Sequence, residues 1–85
     1  MELWPNPNRG DQMNVRIDDL GFETSTATID VIDLYGKYVA TETINVDGSR
    51  INYAMDLSNT VADGLYVVNI HAGDKTFTQR LVIAR

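Results

Sequence analysis

The stretch "GLYVVNIHAGDKTFTQRLVIAR", residues 64–85, decides the fold. Apolar and polar side chains alternate along it with a period of two, the spacing of strands with one buried face. Gly73 and Asp74 lie at its middle as a two-residue loop, which is hairpin chemistry. That loop sets a register in which Ile70 pairs with Phe77 and Tyr66 with Leu81. Tyr66, Val68, Ile70, Phe77, Leu81 and Ile83 then share one face, while Asn69, His71, Thr76, Thr78 and Arg80 share the other. One side is core and the other is wet.

The same rhythm continues toward the start of the chain. "MNVRI" sets Met13, Val15 and Ile17 against Asn14 and Arg16, a half-buried strand. "NVDGSRINYAMDL" holds an Asp47–Gly48 turn between two strands, the second alternating Ile51, Tyr53 and Met55 against Asn52, Ala54 and Asp56. In "TATIDVIDL" the parity breaks, since Ile29 and Val31 oppose Ile32 and Leu34, so a bulge or a strand covered on both faces is expected. Gly36 supplies a positive φ for the turn into a strand containing Val39 and Ile44. No window sustains helical spacing. Six or seven strands in 85 residues predict an all-β fold, a small antiparallel immunoglobulin-like β-sandwich of about seven strands. A chain of this length buries roughly 60% of its unfolded surface on folding, so residues 1–85 make one domain with one modest core.

The formal net charge of -5, with scattered basic residues, argues against nucleic acid, because phosphate binding needs clustered Lys and Arg. No stretch approaches the roughly 20 apolar residues of a membrane span, and the start does not read as a secretory signal. Met1 before Glu2 reads as an appended start. Cysteine is absent, which excludes disulfides and leaves the compartment open. His71 is the single histidine, placed on the wet face without a nucleophile motif, so no enzyme is expected. The acidic pairs Asp18–Asp19 and Asp30–Asp33 lack the spacing of a calcium loop and read as turn caps, so neither metal nor cofactor is expected. Tyr53 and Tyr66 fall on apolar alternations and read as core. Trp4, Tyr35 and Tyr38 lie in or beside loops, and an alternative reading makes them the contact residues of an immunoglobulin-like module binding carbohydrate or protein.

"LWPNPNRG", residues 3–10, cannot start a helix comfortably and reads as a rigid linker and lead-in over residues 1–10. "WPNPNRG" resembles the aromatic-Pro-Asn-Pro-x-x-Gly start of the C-terminal sorting domains of the type IX, or Por, secretion system of Bacteroidetes. "IDVIDLYGKYV", "DLSNTVADGLYVVNI" and "GDKTFTQRLVIAR" resemble that family's later segments in the same order, from Trp4 to Arg85. Two departures are Val61, where the family often has proline, and Gln79–Arg80, where two basic residues are frequent.

The resemblance implies a non-catalytic domain appended to an N-terminal cargo domain in one precursor. Such a cargo passes through the periplasm, crosses the outer membrane by the type IX translocon, and reaches the surface or the medium. A sortase-like peptidase then removes the domain and can attach the cargo to surface lipopolysaccharide. Carried over residue by residue, the recognition elements are Pro5, Asn6, Pro7 and Gly10, then Gly64 and Tyr66, then Lys75, Arg80, Leu81, Val82, Ile83 and Arg85. Each also has a plain structural use as turn, core or strand-entry residue. A closing strand left at a sheet edge would offer unpaired backbone for β-augmentation or for a dimer, with Arg80 and Arg85 discriminating by charge.

Overall fold

A computed structural model describes residues 1–21, 25–46, 48–58 and 61–85. The described residues form seven strands and no helix: β1 (Glu2–Trp4), β2 (Gln12–Ile17), β3 (Thr26–Ile32), β4 (Tyr38–Asn45), β5 (Ile51–Asp56), β6 (Gly64–Ala72) and β7 (Lys75–Ile83). They make a three-stranded sheet in the order β1-β2-β5 and a four-stranded sheet in the order β4-β3-β6-β7, with every pairing antiparallel. The inner faces of the two sheets share one apolar cluster. Met13, Val15, Ile17, Ile51 and Met55 come from the first sheet; Ile29, Val31, Val68, Ile70, Leu81 and Ile83 come from the second. This is the small immunoglobulin-like sandwich expected from the alternation.

The β6–β7 hairpin has the expected register, with Ile70 opposite Phe77 and Tyr66 opposite Leu81. Its faces divide as read: Tyr66, Val68, Ile70, Leu81 and Ile83 are buried and Phe77 is half-buried, whereas His71, Thr76, Thr78 and Arg80 are exposed. The irregularity expected of β3 occurs in its pairing with β4: Val31 is opposite Ala40 and Ile32 opposite Tyr38, leaving Val39 as the extra residue of β4, while β3 itself alternates regularly against β6 with Ile29 and Val31 inward and Ile32 outward. Asp30 also points outward yet is buried, because Thr41 Oγ1 donates to its Oδ1 at 2.5 Å and His71 Nε2 lies 3.7 Å from Oδ2. Gly36 adopts φ 84 at the β3–β4 turn. Of the expected Asp47–Gly48 turn, Asp47 lies outside the described residues, as do Asn59 and Thr60 of the β5–β6 loop.

One correction concerns residues 1–10. The sequence reads them as linker and lead-in; in the structure Glu2–Trp4 form β1, paired with Asn14–Arg16, and Leu3 is buried. Three residues carry too little alternation to announce a strand. The Pro-Asn-Pro segment therefore runs between two strands of the sandwich rather than ahead of it.

On the β4–β5 side, the Tyr53 hydroxyl donates to Glu42 Oε1 and links the two sheets. That hydrogen bond, then desolvation, then the Glu42 charge raise the phenol above its usual range. The folded value exceeds the unfolded one, so the contribution of this contact is present below the ordinary tyrosine pKa of about 10 and is lost as pH rises through the folded value.

Candidate functional site

The first and last segments that the family resemblance nominates meet along the outer edge of β7. β7 is the edge strand of its sheet, so its outward backbone groups need partners from elsewhere. They obtain them from residues 6 and 8. Asn6 Nδ2 donates to the Arg80 carbonyl at 2.9 Å, and Asn6 Oδ1 accepts from the Val82 N–H at 3.0 Å. The Asn8 N–H then donates to the Val82 carbonyl at 2.7 Å, and the Ala84 N–H donates to the Asn8 carbonyl at 2.8 Å, closing a parallel bridge to Ile83. Neither Pro5 nor Pro7 has an N–H to give. The Asn6 side-chain amide, through one N–H and its oxygen, stands in for a peptide unit there. Both X-Pro bonds of this strap, Trp4–Pro5 and Asn6–Pro7, are cis.

Asn8 anchors the strap from inside. Its side chain is fully buried, with Nδ2 donating to the carbonyls of Pro5 (3.1 Å) and Gln12 (2.9 Å) and Oδ1 accepting from the Gly10 N–H at 2.7 Å. These bonds fold the strap back into β2. The sequence reading passed over Asn8, because the family pattern leaves its position variable. The signal available was Asn-x-Gly spacing, which permits an Asx-type bond to the backbone two residues on.

Gly10 has φ 83, and a Cβ there would overlap the Arg85 guanidinium. Arg85 in turn reaches across to the β5–β6 loop: Nη1 donates to Asp63 Oδ1 at 2.8 Å, Nη2 donates to the Val61 carbonyl at 2.5 Å, and its N–H donates to Asp63 Oδ2 at 3.3 Å. Tyr66 braces the same loop through its hydroxyl, which donates to the Ala62 carbonyl at 2.6 Å. Strap, closing strand and loop are thus one hydrogen-bonded unit. Tyr66→Phe removes a single bond from it and is expected to lower the unfolding free energy by about 1 kcal/mol, read from urea unfolding at unchanged slope.

The structure brings Pro5, Asn6, Pro7, Gly10, Gly64, Tyr66, Arg80, Leu81, Val82, Ile83 and Arg85 to one region, with Gly64 opposite Ile83. Leu81 and Ile83 are core, Val82 is 39% exposed, and the Arg80 side chain is exposed. Lys75 stands apart, opposite Ala72 at the hairpin turn, where its Nζ donates to the Asp19 carbonyl at 3.1 Å. The edge expected to carry unpaired backbone is occupied by the strap from Arg80 to Ala84, which corrects the picture of a bare closing strand. Arg85, expected to face a partner, is held by Asp63. Trp4, Tyr35 and Tyr38 are exposed, but Trp4 belongs to the three-stranded sheet while Tyr38 opens β4 of the other.

A cysteine-free β-sandwich whose first ten residues brace its last strand defines a compact module. A family described as secretion system C-terminal sorting domain matches residues 2–84, and the chain belongs to that family. No curated protein matches it. Family membership makes the chain a C-terminal sorting signal for type IX secretion, in a family of generally non-catalytic domains. It implies a cargo precursor, the type IX machinery, and export across the outer membrane to the surface or beyond.

Proposed function

We propose that this domain works as a folded address label whose strap and closing strand are presented together. The cargo fused ahead of it enters the periplasm by its own signal. The translocon passes the cargo outward, a sortase-like peptidase severs it from the domain, and the freed end becomes attached to the cell surface. The observation that carries this reading is the joining of the family's first and last motifs by the Asn6 and Asn8 bonds to β7.

The test is a periplasm-targeted fluorescent reporter fused to residues 2–85, in Bacteroidetes hosts with and without a working translocon. Delivery outside that needs the translocon and is lost on removing Arg80–Arg85 is the expected result. The mass of the exported reporter should show the domain gone and a surface lipid gained. Retention of an intact, folded fusion in the periplasm would contradict the reading.

A further inference from the structure

We propose that the part of the β7 edge left uncovered by the strap is a self-association site, at which residues 75–79 pair antiparallel with the same segment of a second copy of this chain. The pairing goes beyond the sorting reading and does not depend on it.

The strap reveals which backbone groups of β7 face outward. It engages the Arg80 carbonyl, both backbone groups of Val82 and the Ala84 N–H, so these residues turn their peptide groups away from β6. Strand alternation puts the N–H and C=O of Thr76 and Thr78 on that same side. The two-residue turn agrees, since it makes Ala72 and Lys75 the closing hydrogen-bonded pair of the hairpin. Among the described residues nothing covers the Thr76 and Thr78 groups, because the bonds of the strap begin at Arg80. Their side chains do not shield them either. Thr76 Oγ1 lies 3.3 Å from His71 Nδ1, and Thr78 Oγ1 donates to Asn69 Oδ1 at 2.8 Å, so both hydroxyls are drawn toward β6 and away from the edge. A row of open backbone groups is a template for another strand.

Length and charge select the same strand of a second copy as the occupant. The open stretch runs only from the hairpin turn at Gly73 and Asp74 to the first strap bond at Arg80. In a two-fold antiparallel register centred on Phe77, Thr76 lies opposite Thr78 of the second copy, and Thr78 opposite its Thr76. Each pair exchanges both N–H···O bonds, which satisfies every open group of the two residues. Phe77 then meets its counterpart as a non-hydrogen-bonded pair, the closer kind, with its half-buried ring at the sheet margin. At each end the register sets Asp74 of one copy opposite Arg80 of the other. Both residues are exposed, their charges are opposite, and neither has an ion-pair partner among the described residues. Lys75 falls opposite Gln79, so no like charges face each other. A register centred one residue later would set Thr76 against Arg80, whose carbonyl Asn6 already holds. β4, the other edge of this sheet, carries the extra residue Val39 and the Glu42 carboxylate, features that discourage such pairing.

Sedimentation equilibrium and amide hydrogen exchange on residues 1–85, at concentrations up to about 1 mM, test this. The expected result is a monomer–dimer equilibrium in which the Thr76 and Thr78 N–H groups exchange fast at low concentration and slowly at high. Arg80→Asp and Asp74→Arg each place like charges at both ends of the pairing. With melting temperatures near that of the parent, each is expected to weaken dimerisation about tenfold. The double variant sets opposite charges across the axis again and is expected to dimerise within about twofold of the parent. Positions 74 and 80 lie about 20 Å apart along one strand, so that rescue arises only between chains. A parent that stays monomeric at about 1 mM overturns the proposal, as does a dimer in which the Thr76 and Thr78 N–H groups still exchange fast. Dimerisation unchanged by either charge reversal, or a double variant no better than the single ones, overturns it as well.

Discussion

Asn8→Ala is expected to lower the unfolding free energy by about 3–5 kcal/mol. The truncation strands the Gly10 N–H and removes a partner from the Pro5 and Gln12 carbonyls, in a place where Asn8 is fully buried. Each orphaned buried group costs about 1–3 kcal/mol, less where water can enter beside the more exposed strap. Against the 5–15 kcal/mol typical of a whole domain, such a loss leaves the variant marginal at 37 °C. Asn8→Asp gives no rescue, because a carboxylate would face two carbonyl oxygens. Asn14→Ala, which removes two exposed bonds, one to the Trp4 carbonyl and one from Gln12 Nε2, is expected to cost about 1 kcal/mol or less and serves as the control. Urea unfolding at constant slope reads all three; a loss below about 1 kcal/mol for Asn8→Ala would show that the strap is not anchored as described.

Gly10→Ala is expected to cost about 2–4 kcal/mol, through two separable causes. The first is the backbone: φ 83 is unfavourable for any L side chain by about 1–2 kcal/mol. The second is displacement of the Arg85 guanidinium from the Val61 carbonyl and Asp63, since the new Cβ would occupy its place. A double-mutant cycle with Arg85→Ala separates them. Once Arg85 is gone the clash vanishes, so Gly10→Ala should then cost only the backbone part, leaving a coupling of about 1 kcal/mol or more. Costs that add within about 0.5 kcal/mol would mean the two residues are independent and the contact is not formed.

The sheets were legible in the sequence where the alternation was long. The 22 residues from Gly64 to Arg85 fixed a hairpin, its register and both of its faces, because a one-residue slip would have turned Val68 and Ile70 into solvent. The irregularity between β3 and β4 was legible as a break in parity, though not that its extra residue, Val39, belongs to β4. β1 was hidden, since three residues before two prolines carry no usable period. The site was legible in a different way. Resemblance nominated Pro5, Asn6, Pro7 and Gly10 at one end and Arg80–Arg85 at the other, yet nothing in a linear reading says that these segments touch across more than 70 residues. That contact rests on amide geometry at Asn6 and Asn8 that only the fold reveals. Asp63 escapes a linear reading for the same reason: its partner, Arg85, is 22 residues away and reads as a residue facing another protein.

The central claim is that the strap and the closing strand form one folded unit. Native-state amide hydrogen exchange on residues 2–85 tests it most directly, at the Val82 and Ala84 N–H groups, whose acceptors are Asn6 Oδ1 and the Asn8 carbonyl. The account predicts strong protection at both, comparable with the β3 and β6 amides in the parent, and a greater loss at Val82 and Ala84 than at the β3 and β6 amides when Asn8 is replaced by alanine. Rapid exchange at Val82 and Ala84 in the parent, with β3 and β6 still protected, would contradict it.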